Sequence, residues 1–162
     1  MNADWTAAQL PHLSGRTAIV TGANSGLGFE ATRMLAGNGA EVVMAVRSLE
    51  RGEAAAERLG DEFDGQILVR ELDLASLGSI RDFAEDLRAE YDGVEYLFNN
   101  AGVMAIPRSE TAAGFETQFG VNHLGHFALT AHLSDLITST DKARVVTTSS
   151  RAHERGSIDF ED

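Results

Sequence analysis

The sequence predicts an α/β fold built on a doubly wound parallel sheet. Short apolar runs alternate with longer segments of helical periodicity at regular intervals, which is the pattern of successive β-α-β units. The apolar runs are continuous, and this is typical of strands covered by helices on both faces of a sheet. Together these features indicate parallel strands joined by helical crossovers.

Five segments are predicted to form the sheet. Each is short, and most of its residues are β-branched or aliphatic. Right-handed crossovers between them predict the strand order 3-2-1-4-5. The five predicted strands are Thr17–Thr21, Glu41–Val46, Gln66–Leu72, Val94–Phe98 and Ala143–Thr148.

Four helices are predicted between these strands. The first begins near Leu27, carries an apolar stripe and ends at the turn that starts with Gly37. Ser48 and Ser76 are placed to cap the N-termini of the second and third helices, because a serine side chain accepts hydrogen bonds from the first helical amides.

A fourth helix, the longest, is predicted from about Ala112 to Ile137. It contains Gly120 and Gly125, and a glycine inside a helix costs about 1 kcal/mol relative to alanine. We therefore expect a backbone or a ligand to approach closely at these glycines. The same helix is a candidate surface for forming a homo-oligomer.

Composition and charge exclude several classes of protein. The 162 residues suffice for one domain, and the absence of cysteine excludes disulfide frameworks and cysteine-ligated metals. A net charge of −12 argues against nucleic-acid binding. No secretory leader precedes the first strand, and no segment approaches the roughly 20 apolar residues of a membrane span. We therefore expect a soluble, cytoplasmic protein.

The charges are also unusual in kind, because Lys142 is the only lysine in this acidic protein. Such a surface is typical of proteins that stay soluble in concentrated salt. An ordinary acidic protein from a GC-rich genome would have the same composition, and both interpretations stay open.

A glycine-rich loop follows the first strand directly and leads into the first helix. The strand must turn tightly at Gly22, the backbone is left open at Gly26, and Gly28 allows the helix to pack against the strand. Amides at the helix N-terminus then face an anion such as a pyrophosphate. Strand, loop and helix in this order predict a dinucleotide site.

The loop sequence TGANSGLG resembles that of the short-chain dehydrogenase/reductase family, and further motifs of that family follow in the expected order. The longer stretches NNAGVM, GFETQFGVNHLGHF and VVTTSSRAH look most like its retinol-dehydrogenase and protochlorophyllide-reductase-like branch. The resemblance covers essentially all 162 residues and implies a Rossmann-type sheet. The matching motifs include Asp73-Leu74, Asn99 to Gly102, Asn122 and Ser149-Ser150.

The resemblance implies a nicotinamide dinucleotide along the carboxyl ends of the strands. Asp73 would accept a hydrogen bond from the adenine amino group with Leu74 beside the ring, although an aspartate at a strand end also forms turns. Backbone from Asn99 through Ala101 and Gly102 would pass close to the adenine ribose. The other cofactor residues implied are Gly22, Asn24, Ser25, Gly26, Leu27 and Gly28.

Arg47 and Ser48, at the end of the second strand, bear on the choice of cofactor. An acidic residue in this neighbourhood takes the ribose hydroxyls of NAD, whereas a guanidinium and a hydroxyl suit the 2′-phosphate of NADP. We therefore expect NADP(H) to be favoured over NAD(H). The alternative is a solvated arginine at the start of a helix.

Two residues are assigned to the reaction by the resemblance. Ser150 would hydrogen-bond the oxygen of a small carbonyl or alcohol substrate, and Asn122 would help hold a water of the proton relay. His123 and His126 lie three residues apart, but no acidic ligand has a matching spacing, so we expect packing or surface roles and no metal.

The family's chemistry also needs a tyrosine with a lysine four residues later. Neither Tyr91 nor Tyr96 has that neighbour, and Lys142 precedes Ser150, whereas the motif follows that serine. We expect residues 1–162 to be a single NAD(P)-binding domain, incomplete at its C-terminal end. The two functional hypotheses are an NADP-dependent oxidoreductase and a non-catalytic dinucleotide-binding module.

Overall fold

The computed structural model describes residues 6, 9–60, 63 and 65–159. Its five strands form one parallel sheet in the order β3-β2-β1-β4-β5, so the predicted topology is confirmed. The ends of the strands move by at most two residues from their predicted positions. The strands are β1 (Thr17–Thr21), β2 (Glu41–Val46), β3 (Ile67–Glu71), β4 (Tyr96–Asn99) and β5 (Arg144–Thr147).

The first three helices lie where the sequence predicts them. They are α1 (Gly26–Gly37), α2 (Leu49–Leu59) and α3 (Leu77–Glu90). The Ser48 hydroxyl accepts a hydrogen bond from the Arg51 amide and caps α2, and the Ser76 hydroxyl accepts one from the Ser79 amide and caps α3.

The predicted fourth helix is broken into several pieces, and it begins later than expected. Gly114 has a positive φ of 83°, and the Glu116 side chain caps a helix that starts only at the next residue. The pieces are α4 (Thr117–Phe119), a π-helical segment (Gly120–Gly125), α5 (His126–His132) and α6 (Ser134–Thr138).

Helices cover both faces of the sheet, as continuous apolar strands require. Ile19 and Val43 pack with α3 and α5 on one face, while Val20 and Met44 pack with α1 and α2 on the other. The strand β5 differs because all four of its residues are exposed. None of the helices within the described residues has the length and hydropathy needed to span a bilayer.

Candidate dinucleotide site at the carboxyl ends of the strands

A cavity of about 670 Å³ opens at the carboxyl ends of the strands. Four connecting segments surround it: the β1–α1 loop, the end of β2, the residues after β3 and the residues after β4. Ten of the thirteen predicted cofactor residues line it, namely Gly22, Asn24, Ser25, Leu27, Arg47, Ser48, Asp73, Leu74, Ala101 and Gly102. A cavity of about 860 Å³ between α2 and β3 contains none of these residues.

The glycine-rich loop has the geometry that its sequence predicts. Gly22 has φ of 64° and Gly26 has φ of 55°, a region that favours glycine. A Cβ at Gly28 would lie 2.4 Å from the Gly22 carbonyl oxygen, so this glycine allows α1 to pack against the loop. A Cβ at Gly26 would meet nothing within 4 Å, which leaves space beside the start of α1. Gly26 and Gly28 thus shape the loop without lining the cavity.

The first turn of α1 lies at the cavity, and its first amides have no hydrogen-bond partner within the described residues. Ser25 is the N-cap residue of α1, but its side chain forms no capping hydrogen bond. Asn24, Ser25 and Leu27 line the cavity. Because the first amides of a helix have no partner within the helix, they are available to an anion placed there.

Two arginines converge at the end of β2. Arg47 and Arg51 both line the cavity, and within the described residues neither forms an ion pair with a carboxylate. Ser48 lies between them and retains its hydroxyl proton for donation, since its oxygen accepts the helix-capping bond. Glu50, between Ser48 and Arg51 in the sequence, also lines the cavity and is acidic.

Asp73 both forms a turn and lines the cavity. Its Oδ1 accepts a hydrogen bond of 2.9 Å from the Ala75 amide, and its own amide donates to the Ser79 hydroxyl. Within the described residues, Oδ2 has no hydrogen-bond partner and is available to a ligand. A Cβ at Gly125 would lie 2.5 Å from the Leu74 carbonyl oxygen, which confirms the close backbone approach expected at this glycine.

The segment after β4 joins the cavity to the sheet and to α5. Asn99 is buried, and its Nδ2 donates to the Thr130 hydroxyl on α5, so its side chain supports the sheet and does not line the cavity. Asn100 Nδ2 donates to the Thr21 carbonyl. The amides of Asn100 and Ala101 both donate to the Thr21 hydroxyl oxygen, at 2.9 Å each.

Asn122 lies in the π-helical segment and outside the cavity lining. Its Oδ1 accepts from the Val103 amide and its Nδ2 donates to the Val103 carbonyl, each at 2.8 Å. The side chain is therefore fixed to the edge of the cavity, because Gly102 and Val103 line it. The Asn122 carbonyl accepts a hydrogen bond of 3.0 Å from His126 Nδ1.

Ser150 is also outside the cavity lining. It is exposed, and its hydroxyl accepts a hydrogen bond from the Ala152 amide at the start of a 3-10 turn over Arg151–Arg155. Thr148, two residues earlier, does line the cavity. The structure thus brings ten of the thirteen predicted cofactor residues together at the cavity, whereas the two predicted reaction residues, Asn122 and Ser150, do not line it.

The comparisons with known proteins fit this arrangement. The sequence model of the short chain dehydrogenase family matches residues 16–161. The chain belongs to this family. Human retinol dehydrogenase 12 is 49% identical over 158 residues, covering 97% of this chain and 49% of that protein. Human retinol dehydrogenase 13 is 47% identical, covering 93% and 46%. The chain thus spans about half the length of these relatives and is similar to the retinol-dehydrogenase branch.

Two solved structures share the fold. An uncharacterized protein from Mycobacterium paratuberculosis is 52% identical with a TM-score of 0.85, over 98% of this chain and 55% of that one. A short chain dehydrogenase from Escherichia coli CFT073, complexed with NADPH, is 26% identical with a TM-score of 0.78. That match covers 90% of this chain and 63% of the other.

Arg51 and Thr148 also line the cavity, although the sequence did not single them out. Arg51 could have been found, because a helix that starts at Leu49 brings residue 51 into its first turn, next to Arg47. Thr148 carries no such signal. Its inclusion depends on where β5 ends relative to β4, and sequence periodicity does not fix that position.

Proposed function

We propose that this chain forms the NADP(H)-binding half of an oxidoreductase that transfers hydride between nicotinamide and a small carbonyl or alcohol substrate. The observation that carries the proposal is the convergence of ten predicted cofactor residues on one cavity. The retinol dehydrogenases to which the chain is similar act on an alcohol, as their name states, and this favours an alcohol or aldehyde substrate.

The residues present fit a dinucleotide. The open space at Gly26 and the unused amides of α1 suit a pyrophosphate, while Asp73 Oδ2 suits the adenine amino group. The bound cofactor would supply or accept the hydride. The residues of this chain would hold its adenosine and pyrophosphate parts, and Asn122 would keep the edge of the cavity in place through Val103.

The preference for the 2′-phosphate rests on Arg47, Ser48 and Arg51. Within the described part of the chain, neither arginine forms an ion pair with a carboxylate, and Ser48 adds a hydroxyl between them. Glu50 lies between the two arginines in the sequence, whereas Asp73, the other acidic residue of the cavity, follows β3. A phosphate would bring charge-assisted hydrogen bonds to this group. The NADPH complex of the related Escherichia coli protein supports the same choice.

Titration with NADPH and NADH, followed by fluorescence, tests this preference. We expect Arg47→Ala to weaken NADPH binding about tenfold, because a charge-assisted bond at an exposed site is lost, and to change NADH binding less than about twofold. Arg81→Ala removes the same charge outside the cavity and should leave both affinities unchanged. Equal losses for NADPH and NADH would contradict a 2′-phosphate site.

A binding module without catalysis is the second candidate, and the placement of Ser150 favours it. The Ser150 hydroxyl oxygen accepts a hydrogen bond from an amide of its own 3-10 turn, and the side chain lies outside the cavity lining, although the hydroxyl proton is still available for donation. A module of this kind would bind NADPH without oxidising it in the presence of aldehydes or ketones. Turnover that is lost in Ser150→Ala would exclude this candidate.

A further inference from the structure

His126 connects the end of β1 with the π-helical segment that contains Asn122. It is 5% exposed and lies at the start of α5, directly after the π-helical segment that contains Asn122. Its Nδ1 lies 3.0 Å from the Asn122 carbonyl oxygen, and its Nε2 lies 2.9 Å from the Thr21 hydroxyl. One ring therefore contacts both β1 and the π-helical segment.

The partners of the ring determine its tautomer. A carbonyl oxygen can only accept, so Nδ1 must carry a hydrogen and donate it to Asn122. In a neutral ring Nε2 then accepts, and the Thr21 hydroxyl must donate to it. The two acceptor positions of the Thr21 oxygen take the amides of Asn100 and Ala101, at 2.9 Å each. Every group in this network is satisfied.

A charged ring would disturb the network. Nε2 would then donate to Thr21, and the Thr21 hydroxyl would turn to the Phe98 carbonyl, which lies at 3.2 Å. The Thr21 oxygen would have to accept from three donors with two lone pairs, so the bond from Asn100 or Ala101 would weaken. The Asn100 amide also lies 3.0 Å from the Phe98 carbonyl oxygen, whereas that of Ala101 has no second acceptor among the described residues. Asn100 and Ala101 both line the cofactor cavity.

The groups bonded to the His126 ring, the Thr21 hydroxyl and the Asn122 carbonyl, are neutral, and the charged side chains of the neighbouring helices lie at the surface. Burial lowers the pKa of His126, although its bond to the Asn122 carbonyl acts in the opposite direction. On the same helical stretch, His123 is exposed and stacks on Phe119 with ring centres 5.3 Å apart. His132 follows at the end of α5, where its carbonyl accepts from Arg88. On α3, which packs against α5, the remaining charged side chains are exposed: Arg81, Asp82, Glu85, Asp86 and Glu90.

We propose that His126, held as the neutral Nδ1–H tautomer, is a positioning residue that fixes Asn122 relative to the Asn100–Ala101 turn. The Asn122 side chain is already bonded to Val103 on the cavity edge, and the histidine holds its carbonyl from the other side. His126 then holds the π-helical segment in a fixed position relative to the cavity. The consequence for the cofactor rests on the proposed function.

Two substitutions each keep one of the two hydrogen bonds of His126 and remove the other. In His126→Asn the amide nitrogen replaces Nδ1 and keeps the bond to Asn122, and in His126→Gln the amide oxygen replaces Nε2 and keeps the bond to Thr21. In the asparagine variant, which loses the bond to Thr21, we expect hydrogen exchange of the Ala101 amide to accelerate about three- to tenfold. In the glutamine variant, which loses the bond to Asn122, we expect the same acceleration at the Val103 amide. Neither variant should accelerate exchange at the other amide. NADPH binding should weaken by a similar factor in the asparagine variant. His123→Asn and His123→Gln are the matched controls and should change none of these values.

The wild-type chain provides a second measurement that needs no variant to fold. Long-range ¹H–¹⁵N spectra at pH 7.5 should show the hydrogen of His126 on Nδ1 and an unprotonated Nε2. The opposite tautomer, a charged ring, or equal amide exchange in both variants would overturn the proposal. If the chain binds no nicotinamide cofactor, the proposed function fails, and the spectra and amide exchange still decide the role of His126.

Discussion

The strands β1 and β5 have similar sequences, TAIVT and RVVT, and different surroundings. Both are parallel neighbours of β4. In β1, four of five residues are buried, because β2 lies on its other side and helices cover both faces. In β5 all four residues are exposed, and β4 is its only partner within the described residues. A strand's own sequence thus predicts that it pairs, whereas its neighbours decide how much of it is buried.

The same difference divides the candidate site. The proposed adenosine side is built on β1 and β2, where all residues but the first of each strand are buried, and most of its predicted residues line the cavity. The reaction side follows β5, and Ser150 is exposed there. The proposed binding residues and the predicted reaction residue Ser150 therefore lie in regions of different burial, and mutations should affect stability unequally on the two sides.

The largest expected effect is at Gly28, on the adenosine side. In Gly28→Ala the new Cβ would meet the Gly22 carbonyl oxygen at 2.4 Å and Asn100 Nδ2 at 2.6 Å. The first of these atoms belongs to the backbone and cannot rotate away, so we expect a loss of about 3 kcal/mol in the free energy of unfolding. Denaturant unfolding measures it.

Gly78→Ala is the matched control, because a Cβ there meets nothing nearer than 3.7 Å. It should leave stability unchanged or raise it by up to about 1 kcal/mol, since alanine favours a helix over glycine. If both substitutions cost the same, the close packing between α1 and the loop would be disproved.

A smaller effect compares one substitution in the two strands. Val20 in β1 is fully buried, whereas Val146 in β5 is 44% exposed. Val20→Ala should cost about 2–3 kcal/mol through lost burial and the cavity left behind, and Val146→Ala less than about 1 kcal/mol. Both are measured by urea unfolding at low protein concentration. Equal costs would mean that β5 is covered in solution, for example by a second copy of the chain.

The sequence predicted the strands, their order and most of the cavity because these depend on local patterns. An apolar run, a glycine loop and a serine cap act within a few residues, so β1, Gly22 and Ser48 lie where they were expected. The predicted helix at 112–137 was only partly right: helical turns cover most of that range, but the π-helical segment and the break at Leu133 depend on distant contacts. Leu74 approaches Gly125 from another segment, and Arg88 bonds the His132 carbonyl where α5 ends.

Asn99 and Ser150 show the same limit at the level of single side chains. Their motifs are local, but the direction of Asn99 is determined by Thr130, which lies on α5. Ser150 is engaged by the amide of Ala152, a contact that arises only when residues 151–155 form a 3-10 turn. A motif therefore identifies the residue more reliably than it identifies what the side chain contacts.

The smallest expected effect is the pH dependence contributed by Glu116, which caps the start of α4. The Gln118 and Phe119 amides donate to its carboxylate, at 2.9 and 2.8 Å, and lower the pKa of Glu116 below its ordinary value. The unfolded chain then takes up the proton first, so this stabilisation is complete above about pH 4.3 and is lost as pH falls through the lower, folded-state pKa. In Glu116→Gln the deficit in unfolding free energy should be constant from pH 7 to 5 and shrink at lower pH. Glu57→Gln, an exposed change on α2, is the control and should show a smaller deficit throughout. A Glu116→Gln deficit that stays constant down to pH 3 would show that the charge of the carboxylate does not stabilise the start of α4, and that its shape alone holds the two amides.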